Sequence, residues 1–141
     1  MSIFVDTSAW YAVADRSDRC HRKAKDFYLA TAGKDELVTS DLVVAESWTL
    51  IAAHLGRSAA LRFWEGLRDT GTPILTIEPP DLEAAWRIVQ SYADQDLSLT
   101  DATSFALMER RGIDRVFAFD AHFLVYRYGT GRRRAFHRHP P

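Results

Sequence analysis

The sequence lacks most features that would place it outside the ordinary globular proteins. It carries one cysteine, Cys20, in 141 residues, which excludes an intramolecular disulfide and any multi-cysteine zinc site. No apolar run approaches the ~20 residues needed to span a bilayer. The chain does not open on a basic stretch followed by an apolar one, so no secretory signal is read there. No internal repeat and no low-complexity linker divides it. Lysine is absent after Lys34. We therefore expect a single cytoplasmic domain with no membrane association.

What is present suits a packed core. Hydrophobic residues make up 47% of the chain and charged residues 26%, with eight Phe, five Tyr and four Trp; this composition argues against disorder. The net charge of −1 hides an uneven distribution. Residues 71–126 hold four Arg against nine Asp or Glu, whereas residues 127–141 hold five Arg and two His with no acid. An acidic centre beside a basic end suits an enzyme that acts on a polyanion, with Arg132, Arg133 and Arg134 on its phosphates. A solvated tail is the plainer alternative.

Hydrophobic spacing outlines alternating strands and helices. Residues 2–6 read as a buried strand, followed by Thr7-Ser8 as capping hydroxyls and a short helix over 9–14. Helices follow over 20–32, from a Ser40 or Asp41 cap to Leu55, and over 59–70. Short strands read at 37–39 and 74–77. Pro79-Pro80-Asp81 starts a helix over about 81–93, and residues 100–111 form the next, closed by Gly112. A strand at 116–119 and a helical turn through Tyr126 complete the pattern. Strands separated by helices predict an α/β fold with a central, mainly parallel sheet covered on both faces.

Four acids stand at the ends of these elements. Asp6 ends Ile3-Phe4-Val5, and Asp120 ends Val116-Phe117-Ala118-Phe119. Glu46 lies inside an apolar helical pattern, where a buried carboxylate without a partner would protonate. Asp101 opens a helix directly after Ser98-Leu99-Thr100. Open α/β sheets bind ligands beyond the carboxyl ends of their strands. Carboxylates gathered there repel one another unless cations neutralise them. Hard cations such as magnesium favour all-oxygen sites and bridge to substrate phosphates, which suggests metal-assisted attack on a phosphodiester. Each acid also has a plainer role: a helix cap for Asp6, a solvent-facing position for Glu46, a helix start for Asp101, a turn for Asp120. Thr7 and Ser8 offer hydroxyls to a metal-bound water or a phosphate, or simply cap. Asp96 is a weaker fifth acid, in a polar loop. His122, beside Phe123, reads as structural.

Taken together, Ile3-Phe4-Val5-Asp6-Thr7-Ser8-Ala9-Trp10, Val43-Val44-Ala45-Glu46, Leu97-Ser98-Leu99-Thr100-Asp101-Ala102 and Phe119-Asp120-Ala121-His122-Phe123 resemble the PIN-domain nucleases, in particular the VapC-type toxins of bacterial toxin–antitoxin pairs. The resemblance implies a three-layer α/β/α domain over residues 1–128. Residues 129–141 then form a basic tail, in which Arg134-Ala135-Phe136-His137 is a poor but possible last edge strand. It also implies a magnesium- or manganese-dependent endoribonuclease with Asp6, Glu46, Asp101 and Asp120 at the four acidic positions and Thr7 or Ser8 as an assisting hydroxyl. Asp6 and Asp101 are expected as the main metal ligands. The implied partners are an RNA substrate, a cognate antitoxin and a second copy in a homodimer.

Two other readings compete. A phosphoaspartyl enzyme also places Asp after a parallel strand. Its dehalogenase-like form needs a second Asp where Ser8 stands, and its receiver-like form needs a paired acid at Asp6 and a later Lys. A non-catalytic RNA- or protein-binding module of the same fold would keep the pattern without the cleavage.

Overall fold

The computed structural model describes residues 1–141. In chain order the elements are β1 (Ser2–Val5), α1 (Thr7–Ala14), α2 (His21–Thr31), β2 (Glu36–Ser40), α3 (Asp41–Leu55), α4 (Arg57–Thr70), β3 (Ile74–Leu75), α5 (Pro79–Ser91), α6 (Leu99–Arg111), β4 (Arg115–Phe117), α7 (His122–Val125) and β5 (His137–His139). The strands form one sheet in the order β3-β2-β1-β4-β5, and every pairing is parallel. Their carboxyl ends therefore share one edge. Helices flank the sheet in the expected α/β/α layers, because parallel strands need crossovers that lie over the sheet faces.

The central strand shows why the sequence folds this way. Ile3, Phe4 and Val5 are fully buried, as an unbroken apolar run should be in a strand covered on both faces. Trp10 Nε1 donates to Thr39 Oγ1 (3.2 Å), and Thr39 Oγ1 donates to the Val5 carbonyl (2.9 Å), locking α1 over β1 and β2. Gly71 and Gly112, at φ +64° and +66°, end α4 and α6 in the left-handed conformation that glycine adopts without strain.

Several boundaries differ from the sequence reading. Helix α1 starts at Thr7 because the Asp6 carboxylate, not a hydroxyl of Thr7 or Ser8, caps it. The third strand stops at Leu75 and the fourth at Phe117. The last strand begins at His137, where the residues before it are occupied otherwise: Phe136 is buried and stacks on buried Tyr128 at 4.6 Å. The basic segment is thus anchored by two aromatic side chains, while Arg132, Arg133 and Arg134 stay exposed.

Candidate active site

The turn leaving β1 carries the first acid. Asp6 adopts φ −85°, ψ 162°, and its Oδ2 accepts from the Ser8 N–H (3.1 Å) and the Ser8 hydroxyl (2.6 Å). Its own N–H donates to the Phe117 carbonyl at 3.0 Å, tying the ends of β1 and β4 together. Ser8 Oγ also accepts from the Phe119 N–H at 2.9 Å. The Ser8 hydroxyl is therefore fully engaged. The Thr7 hydroxyl is buried and has no partner.

The other acids arrive from separate elements. Ser40 caps α3 by accepting from the Val43 N–H (3.1 Å), and Glu46 follows within the next turn. Glu46 is half-buried, not enclosed as an inward-facing position would be, because it faces an open cavity beside Leu50 one turn on. Asp101 sits in the first turn of α6 in a reciprocal cap. Its N–H donates to Ser98 Oγ (3.0 Å), and the Ser98 N–H donates to Asp101 Oδ2 (3.2 Å). Asp120 lies in the turn before α7 and accepts from the His122 N–H at 2.8 Å. Asp6, Thr7, Ser8, Glu46, Asp101 and Asp120 all line one cavity. Asp96 is exposed and lies outside its wall.

Electrostatics show strain at this cavity. Burial pushes Asp6 up to about 7, further raised by the charges of Asp101 and Asp120 and only partly offset by Ser8. Burial and the Asp120 charge push Asp101 up to about 6. His122, taken from sequence as structural, reaches this cluster. Its Nδ1 lies 3.0 Å from Asp120 Oδ1 and 3.3 Å from Asp101 Oδ2. Its Nε2 lies 2.7 Å from the Gln95 carbonyl, which can only accept, so that nitrogen carries the proton. Burial would lower the His122 pKa, but Asp120 and Asp101 outweigh it and the pKa rises. The available signal in the sequence was its place two residues after Asp120.

Two further groups differ from expectation. Arg19, from the loop between α1 and α2, lines the acidic cavity. Arg132, Arg133 and Arg134 do not. They precede β5, whose first residue pairs with Arg115 at the start of β4, and Tyr128 bridges to Arg134. That is the amino edge of the sheet. The acids stand at the other end, beyond the carboxyl end of β4.

Residues 3–127 match the PIN domain, and the chain belongs to the PIN-domain family. It is 35% identical over 122 residues to the 23S rRNA-specific endonuclease VapC20 of Mycobacterium tuberculosis, a match covering 86% of this chain and 91% of that protein. It is 31% identical over 132 residues to ribonuclease VapC26 of the same organism, covering 92% and 96%. The crystal structure of VapC20, a sarcin–ricin loop cleaving toxin, superposes with a TM-score of 0.79 at 33% identity over 87% of this chain and 93% of that one. A toxin–antitoxin complex from Klebsiella pneumoniae shares the fold, with a TM-score of 0.59 at 18% identity over 84% and 87%.

Proposed function

We propose that this protein is a metal-dependent endoribonuclease and the toxin of a toxin–antitoxin pair. The observation that carries the reading is the meeting of four carboxylates from four separate elements at the carboxyl edge of a parallel sheet. Such a cluster is unfavourable by itself: burial first, and the neighbouring charges after it, raise the pKa of Asp6 and Asp101. A divalent cation removes the repulsion. The donors are hard oxygens with one unpartnered hydroxyl, Thr7 Oγ1, which fits magnesium or manganese.

Asp6 and Asp101 are the main ligands in this reading, with Glu46 and Asp120 completing the set. A bound ion of this kind lowers the pKa of a water and neutralises charge developing on a phosphate. Ser8 fixes the Asp6 carboxylate through its 2.6 Å hydrogen bond. The Thr7 hydroxyl is the one free to meet a phosphate oxygen or a water. When protonated at Nδ1 as well as Nε2, His122 bridges Asp101 and Asp120 while Gln95 holds the ring. The substrate is RNA, and a structured ribosomal RNA loop is the first to try, since VapC20 acts on 23S rRNA.

Surface features support the partners in this reading. An apolar groove formed by Trp10, Val13, Tyr28, Ala59, Phe63 and Leu67, edged by Arg62, suits an amphipathic helix of an antitoxin. An antitoxin arginine would pair with the acidic cavity. Leu82 and Trp86, exposed one turn apart on α5, offer a face for a homodimer. No helix is long and apolar enough to cross a membrane.

The deciding experiment is RNA cleavage by purified protein. Cleavage should require magnesium or manganese, stop with a chelator and fall by several kcal/mol of transition-state stabilisation in Asp6→Asn and Asp101→Asn. Undiminished cleavage in chelator, or by either variant, would overturn the reading.

A further inference from the structure

We propose that Arg19 grips an RNA phosphate beside the one that is cut. The proposal rests on the endoribonuclease reading of the same cavity. Arg19 is the one cation on a wall that carries five acids, Asp6, Asp18, Glu46, Asp101 and Asp120. It is exposed and makes no ion pair. Other arginines near the sheet are occupied: Arg110 by Asp81 and Glu78, Arg115 by Asp35, Arg138 by the Phe119 carbonyl. Arg19 therefore does not serve to neutralise the carboxylates. Its guanidinium remains available to a ligand that enters the cavity.

The loop holding it is built to stay in place. Asp15 accepts from the Tyr11 hydroxyl (2.7 Å), the Ser17 N–H (2.9 Å) and the Ser17 hydroxyl (2.6 Å). Asp18 accepts from the Cys20 N–H at 2.9 Å, immediately after Arg19. His21 Nδ1 then meets the Ala12 carbonyl at 2.7 Å, closing the loop onto α1. The backbone at Arg19 is thus fixed, so only its side chain has to order when it binds.

The chemistry of the ligand follows from charge. A bound divalent cation would supply positive charge for the scissile phosphate, but each neighbouring phosphate is a further anion approaching the same acidic wall. That neighbour needs a cation of its own. Arginine suits it, because its planar fork takes two phosphate oxygens at once. Arg132, Arg133 and Arg134 lie towards the other edge of the sheet and do not line this cavity.

Single-turnover cleavage of an RNA hairpin, with protein in excess at several potassium chloride concentrations, tests this. Arg19→Ala should raise the half-saturating protein concentration roughly tenfold. It should flatten the salt dependence by roughly 0.7 log units for the lost contact. The plateau rate, the cleavage position, the melting temperature and magnesium binding by calorimetry should stay close to wild type. Arg19→Lys should keep most of the salt slope. An unchanged half-saturation and slope in Arg19→Ala would overturn the proposal, as would a fallen plateau rate at normal half-saturation. Intact RNA cleavage with lost binding of a co-expressed partner protein would assign Arg19 to that partner instead. A wild type that binds magnesium but cuts no RNA would sink the endoribonuclease reading itself, a result distinct from any of these.

Discussion

The Ser8 hydroxyl lies 2.6 Å from Asp6 Oδ2 and at the same time accepts the Phe119 N–H at 2.9 Å. One hydroxyl thereby joins the end of β1 to the segment leading from β4 to Asp120. Ser8→Ala should cost about 1–3 kcal/mol in urea unfolding, because it strips a partner from a backbone N–H and from a buried carboxylate. It should also push Asp6 further up, since the Ser8 hydroxyl is the larger of the two hydrogen-bond donors that hold it down. Magnesium binding near neutral pH should weaken accordingly, as protons compete with the cation. Wild-type stability and magnesium affinity in this variant would refute the coupling.

Thr7 should behave in the opposite way. Its buried hydroxyl has no partner, so Thr7→Val should leave stability unchanged or raise it. RNA cleavage should nevertheless fall roughly tenfold or more if that hydroxyl meets the substrate or its water. Melting curves and single-turnover rates on the same sample check both halves. Full activity in Thr7→Val would remove the hydroxyl from the mechanism.

The raised acids set the pH dependence of the metal-free fold. Asp6, at about 7 in the folded chain against the ordinary 3.8, holds its proton more tightly folded than unfolded. Stability therefore falls as pH rises from about 4 to about 7, by as much as a few kcal/mol. Asp101, at about 6, acts in the same direction. His122, also raised, adds stability below about 6.5 that is lost as pH climbs through its folded pKa. Melting temperature in chelator should drop across this range, and magnesium should restore it most at the upper end. A metal-free melting temperature that rises steadily from pH 4 to pH 7 would contradict the assignment.

Away from the cavity, Asp81 and Arg110 pin α5 to α6. Arg110 Nε and a terminal nitrogen reach the two Asp81 oxygens at 2.7 and 2.9 Å, and Asp81 is buried. Burial would raise the Asp81 pKa, but Arg110 overcomes it and holds the carboxyl below its ordinary value. Asp81→Ala should destabilise by about 3 kcal/mol, since it removes both the pair and the carboxylate that accepts the Glu78 N–H. Chemical denaturation measures the loss. The RNA cleavage position should not move, because this pair does not line the cavity.

The order of elements was legible in the sequence because each element's signal is local. Ile3-Phe4-Val5 reads as a short strand covered on both faces, and Gly112 marks the end of α6 by its backbone freedom. The four acids could be picked out for the same reason: Asp6 and Asp120 follow apolar runs, Asp101 opens a helix, and Glu46 interrupts an apolar pattern. Boundaries slipped where a side-chain contact, rather than the hydrophobic pattern, decided them. Asp6 caps α1 in place of the hydroxyls, and Phe136 is drawn into the core against Tyr128, which delays β5 to His137.

What the sequence could not contain is which charges share a space. Clustering along the chain made Arg132, Arg133 and Arg134 look like neighbours of the acids, but parallel pairing of β5 with β4 sends them to the opposite edge. Arg19 carries no such local mark and reaches the cavity only because the α1–α2 loop closes back onto α1. His122 meets Asp101 only when α6 and α7 converge on the carboxyl edge. Hydrophobic periodicity fixes secondary structure over a few residues, whereas the distance between two charges depends on strand order, register and the direction of every crossover between them.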